Sequence, residues 1–207
     1  MVVKTMNPEP SFGKPAVWPP CCCVAAFVEA ALREFGHGVD DRRALAAELG
    51  IRVGERDGNP WDLPIEADSE RRGLLKADAE RRLPSVLRKY DADLRFRHVP
   101  FNMVTLRLYP ELLAQALEQG CVVGVGVDMA LLRCEQGSLR HVLRVQGPSS
   151  ESRVTLLDDS RASPPARMES DWERVERAVR HIDDGFWIIG RRDRMQLDLG
   201  PSAVAST

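Results

Sequence analysis

Cys23 stands directly before an apolar run, Val24-Ala-Ala-Phe-Val28, that continues at helical spacing through Ala31 to Phe35. A thiol in the first turn of a helix feels the positive end of the helix dipole, which favours thiolate. The free backbone N–H groups of that turn can also hold an oxyanion. Such a nucleophile needs a base, and the base needs an acceptor to orient it. His141 opens the apolar run His-Val-Leu-Arg-Val, and Asp158 closes the next, Val-Thr-Leu-Leu-Asp. If these two runs pair as an antiparallel hairpin, the start of one lies beside the end of the other. His141 and Asp158 then meet at one edge of the sheet, and Cys23 on a helix packed across it completes the set. Singly the residues say little: a cysteine before an apolar helix is commonly a small buried hydrophobe, and Asp158-Asp159-Ser160 alone is an ordinary turn. Their order and spacing together carry the case.

The elements that must hold these residues follow from periodicity and punctuation. The helix begun at Cys23 stops at Gly36, with Glu29 and Arg33 as an i,i+4 pair on its outer face. A short helix runs from Asp40 or Asp41 to Leu49 and ends at Gly50. Residues 54–73 read as a polar loop or flap, and 74–90 as a helix with Pro84 a point of interruption. Strands are expected at Leu94–Val99, Cys121–Asp128, His141–Gln146, Arg153–Asp158 and Phe186–Gly190, and a helix at Pro110–Gln119. A further helix before the last strand has Ser170 and Glu173 spaced as a capping box. Helices fill the first half and strands dominate the second, so the fold class is α+β, not the alternation of a parallel sheet. The expected organisation is an irregular lead-in over 1–20, one catalytic domain over 21–193 and a flexible tail over 194–207.

Composition narrows the function classes. The chain has 207 residues, 43% hydrophobic and 29% charged, as in folded globular domains. Its 29 Lys and Arg are interspersed with 31 Asp and Glu, which argues against a nucleic-acid partner. No run has the length of a membrane span, and the N-terminal stretch lacks the apolar core of a signal peptide. Five cysteines, three of them adjacent at 21, 22 and 23, suit free thiols in a reducing cytoplasm. They have no second cluster at zinc spacing, and Gly124-Val-Gly126 lacks the third glycine of a dinucleotide site, so neither metal nor cofactor is expected. Close strand packing is the better account of those glycines. Arg71-Arg72 and Arg81-Arg82 lie on polar faces that could dock an acidic carrier protein. His37, His98 and His181 read as structural, and Asp183-Asp184-Gly185-Phe186-Trp187 as a turn into a core strand.

The stretch Cys23-Val-Ala-Ala-Phe-Val-Glu-Ala-Ala-Leu-Arg-Glu-Phe-Gly36 resembles the nucleophile helix of C39-like members of the papain superfamily. His141-Val-Leu-Arg-Val-Gln-Gly147 followed by Val154-Thr-Leu-Leu-Asp158 is similar to that family's histidine strand, glycine turn and aspartate strand. The resemblance implies a papain-like fold, with the helical first half packed on an antiparallel sheet from the second. It implies Cys23 as nucleophile, His141 as base and Asp158 as orienter, with Asp159 the alternative for the third role and Cys22 a weaker one for the first. Two positions depart from the family: no glutamine precedes Cys23, where C39-like peptidases carry one as oxyanion donor, and Val24 replaces the usual glycine. An amide needs strong oxyanion support, whereas a thioester is already activated. The expected reaction therefore shifts to acyl transfer from a thioester on an acyl or peptidyl carrier protein, as in stand-alone Dieckmann cyclases of bacterial natural-product pathways. Cleavage of a leader peptide, and a non-catalytic binding protein of the same fold, are the alternatives.

Overall fold

A computed structural model describes residues 17–101, 109–150, 152–161 and 164–195. Most of the expected lead-in and tail lie outside these residues. The helices are α1 (Cys23–Glu34), α2 (Arg42–Leu49), α3 (Lys76–Tyr90), α4 (Tyr109–Glu118), α5 (Met129–Arg133) and α6 (Trp172–His181). The strands are β1 (Leu94–Pro100), β2 (Val122–Asp128), β3 (Arg140–Ser150), β4 (Arg153–Asp158), β5 (Ala166–Asp171) and β6 (Gly185–Arg191). They form one sheet in the order β1-β6-β2-β3-β4-β5, and every neighbouring pair is antiparallel. The α+β expectation and the antiparallel sheet both hold.

Both faces of the sheet are covered. On one, Val122, Val142, Trp187 and Ile189 pack with α1, α2 and α3. On the other, Val123, Val125, Leu143, Val154 and Ile188 pack with α4 and α6. The helical cover is thus not confined to the first half of the chain. Burial from two sides explains why β2, Val-Val-Gly-Val-Gly-Val-Asp, is buried along its whole length and reads as an unbroken apolar run. No helix among the described residues is long and apolar enough to cross a membrane.

Several details differ from the sequence reading. α6 is capped by Asp171, whose carboxylate accepts the N–H of Arg174 at 2.7 Å; Ser170 lies in β5 instead of acting as the cap. β5 is an edge strand of mainly polar residues and has no apolar alternation to betray it. α5 is only five residues long and is started by Asp128, which accepts from the N–H groups of Ala130 and Leu131. α3 runs through Pro84 without a break. Glu29 does not face outward but is 3% exposed, and its charge is met by Trp18 Nε1 at 3.1 Å, Arg33 at 2.6 Å and Arg42 at 3.0 Å.

One close approach fixes α1 against the sheet. A Cβ on Gly124 would come within 3.0 Å of the Phe27 ring and 3.1 Å of Val142, so the glycine lets the helix lie directly on β2. Gly124→Val should overfill this contact and lower stability by roughly 1–3 kcal/mol, read from urea unfolding. An unchanged midpoint would show that α1 is not held by this packing.

Candidate active site

Cys23 is the first residue of α1. The preceding Cys22 gives no side-chain cap, and the first turn holds no acidic residue, so the positive end of the helix is left unneutralised. The Cys23 thiol is hydrogen-bonded to His141, and the backbone N–H groups of Val24 and Val142 are directed at its sulfur. His141 is the second residue of β3, which runs antiparallel to β4, so it lies beside the strand end that carries Asp158. The two residues meet at the end of interior strands, not at an edge of the sheet.

His141 Nε2 lies 3.0 Å from Asp158 Oδ1, in an ion-pair contact too bent for a good hydrogen bond. That leaves Nδ1 for the sulfur. Asp158 is 3% exposed, and its Oδ1 also accepts the Ser160 hydroxyl at 2.6 Å and the Ser160 N–H at 3.1 Å. Arg161 Nε stands 3.4 Å from the other oxygen. Asp159 is held elsewhere: its two oxygens take the Nε and Nη2 of Arg144, each at 3.0 Å. The alternative orienter therefore faces Arg144, from the turn that follows β4.

The electrostatics of the three cysteines differ sharply. Burial alone would push the Cys23 thiol up, but the charge and hydrogen bond of His141, with the Val142 and Val24 N–H groups, bring it below its ordinary value. Burial opposes the charge on His141 too, yet Cys23 and Asp158 raise it to about 10. Burial likewise works against the Asp158 carboxylate, and His141 and Ser160 outweigh it, lowering the group to about 2. Together these directions favour charge on both Cys23 and His141, with the Asp158 carboxylate behind the ring. Cys22, by contrast, is fully buried and pushed up to about 12, and burial with a bond to Asp57 pushes Cys21 up to about 11.

The described residues ahead of Cys23 bring no side-chain amide to the site. Val17 is exposed, Trp18 Nε1 is committed to Glu29, Pro19 and Pro20 have no donor, and the Cys21 thiol points to Asp57 Oδ2 at 3.4 Å. Backbone N–H groups at the start of α1 are the oxyanion donors this segment can offer. Among the described residues no group of three or more His, Cys, Asp or Glu side chains is placed to hold a metal ion.

Several supporting residues were not legible in the sequence. Trp18 packs against Trp61 with ring centroids 5.2 Å apart, and its backbone N–H donates to the Ser160 carbonyl at 3.2 Å. It thereby ties the segment before Cys23 to the loop after Asp158. Arg144 spans from Asp159 to Glu34 at 3.0 Å, linking β3 to the far end of α1. A single arginine inside an apolar strand was the available signal for that link.

No family model matches the sequence, and no curated protein aligns with it significantly. Among solved structures the chain is similar to a crystal structure from Bacillus anthracis assigned as a C39-like peptidase. The two are 15% identical with a TM-score of 0.53, over 87% of this chain and 96% of that one. The fold is shared. At this identity the likeness speaks for the architecture of a C39-like peptidase and not for its reaction.

Iodoacetamide should label Cys23 first at pH 6, where an ordinary thiol with a pKa of about 8.5 is almost wholly protonated. The rate should stay near its plateau as pH falls through neutrality, and change on the alkaline side as His141 loses its proton near pH 10. A rate that tracks an ordinary thiol titration would refute the ion pair. Asp158→Asn should slow this labelling at pH 6 severalfold while Asp159→Asn leaves it nearly unchanged; the reverse ranking would reassign the orienting residue.

Proposed function

We propose that the protein is a cysteine-nucleophile enzyme that takes an acyl group onto Cys23 and passes it to an acceptor. The contact set Cys23–His141–Asp158 at the start of α1 is the observation that carries this reading. In the first half-reaction the Cys23 thiolate attacks the acyl carbonyl, and backbone N–H groups of the first turn take the developing oxyanion. The bond to the leaving group breaks, and that group departs with the proton of the His141 imidazolium. In the second half-reaction neutral His141 removes a proton from the incoming nucleophile, the new bond forms at the carbonyl, and the Cys23 sulfur leaves as thiolate. Asp158 holds the ring with Nε2 turned toward it and supports its charge.

The favoured substrate is an acyl thioester, delivered by a carrier protein. What supports this is the lack of a side-chain amide donor among the described residues before Cys23, since a thioester asks less of the oxyanion site than an amide does. With an enolisable carbon as the acceptor, the second half-reaction closes a ring by Dieckmann condensation; with water or an amine it releases the chain. Peptide cleavage is the second reading, favoured by the likeness in fold to the Bacillus anthracis protein assigned as a C39-like peptidase.

Incubation with N-acetylcysteamine thioesters should add one acyl mass to the peptide bearing Cys23. Cys23→Ala should abolish the adduct, and His141→Ala should slow its formation by about 10²-fold or more. Acylation at Cys21 or Cys121 alone would overturn the assignment. Cleavage of a Gly-Gly-containing precursor peptide with no thioester turnover would decide for the peptidase.

A further inference from the structure

A second carboxylate lies on the sheet face that carries α1. Asp184, just ahead of β6, folds its side chain over Gly126 of β2, where a Cβ would collide with the carboxylate. Gly126 is two residues along β2 from Gly124, which sits under Phe27, so both glycines open toward α1. Gly126 is paired with Val142, the residue whose N–H reaches the Cys23 sulfur. The Asp184 carboxylate therefore lies over β2 on the face that carries α1, one strand across from Val142, whose N–H is directed at the Cys23 sulfur.

The way this carboxylate is held is one-sided. Oδ1 takes His98 Nε2 at 3.0 Å, the Gly185 N–H at 2.8 Å and Trp187 Nε1 at 3.0 Å. Oδ2 has no donor among the described residues, and the side chain remains 18% exposed. His98 behind it is 1% exposed, and its Nδ1 has only Glu80, at 3.9 Å, on its far side. Three donors thus fix the orientation of Asp184 and leave one oxygen available on the α1 face, one strand away from the residue that contacts Cys23. Trp187 is committed to this support, fully buried, and not placed to meet substrate itself.

We infer that Asp184 selects a positively charged group, an ammonium or guanidinium, on the molecule that reacts at Cys23. The inference rests on Cys23 as the reacting atom and adds a substrate class to that reading. His98 is a positioning residue, since it acts only through Asp184.

Charged methanethiosulfonates test this without any turnover. They react with a thiolate by attack of the Cys23 sulfur on the sulfenyl sulfur: a disulfide forms, and the S–S bond to the sulfinate leaving group breaks. The rates at Cys23 of 2-aminoethyl, methyl and 2-sulfonatoethyl methanethiosulfonate, read by peptide mass and normalised to the neutral thiol 2-mercaptoethanol, give a charge preference free of intrinsic reactivity. The cation should be favoured over the anion on the order of tenfold at low salt. Asp184→Asn keeps the acceptor for His98, Gly185 and Trp187 and should collapse that ratio toward one, while Asp184→Glu should keep most of it. Because each preference is a ratio within one protein, a general loss of thiol reactivity in a variant cancels. A wild-type ratio near that of 2-mercaptoethanol, or a ratio that survives Asp184→Asn, overturns the inference. A protein that shows the ratio but never forms an acyl-enzyme retains the cationic subsite and loses the acyl-transfer reading, so the two failures are distinguishable.

Discussion

The contact between Cys23 and His141 is the interaction around which the molecule is arranged. Burial opposes charge on both groups, so neither would ionise there alone. Each is stabilised by the other and by one further group: the unneutralised start of α1 for the sulfur, and the Asp158 carboxylate at the end of β4 for the ring. The pair lives on the boundary between two layers, one supplying the helix and the other the sheet. Whatever fixes α1 against β2 and β3 therefore fixes the geometry of this pair as well. Gly124 does so by absence of a side chain, and Arg144 by spanning from Glu34 to Asp159.

A second buried charge serves the same boundary. Glu29, on α1, is almost wholly removed from water and meets an indole and two guanidinium groups. Arg42 also stacks its guanidinium over the Trp18 ring, 5.3 Å from the centroid. Removing one partner from such a set leaves a desolvated charge behind, which costs far more than the pair contributes. The cluster orders the residues leading into Cys23, and the Trp18 bond to Ser160 extends that order to the loop around Asp158.

How much of this the sequence revealed follows the range of the forces involved. Cys23 at a helix start, His141 at a strand start and Asp158 at a strand end are local features, each marked by apolar periodicity. The antiparallel pairing of two consecutive strands brought the last two together by geometry alone. Glu29 was misread because i,i+4 spacing to Arg33 looks the same on a solvated face as on one sealed by a tryptophan from an earlier segment. β5 escaped because an edge strand of polar residues leaves no period-two apolar signal, and α5 because five residues are too few to show one. The choice between Asp158 and Asp159 needed the register of β4 and the position of Arg144. The Asp184 carboxylate was seen only as a turn, since its neighbours come from β1 and β2.

The close approach of Phe27 to Gly124 has a consequence for how the chain acquires its reactivity. Cys23 and His141 are separated in sequence by four helices and two strands, so their contact is a long-range closure formed only with the sheet. Before that closure Cys23 is one of three adjacent thiols with no imidazolium beside it, as unreactive as any cysteine of a nascent chain. Nucleophilicity is thus a property of the completed tertiary structure. In the unfolded chain this residue reacts only as fast as an ordinary thiol, so the extra labelling rate expected of Cys23 would follow the folded fraction.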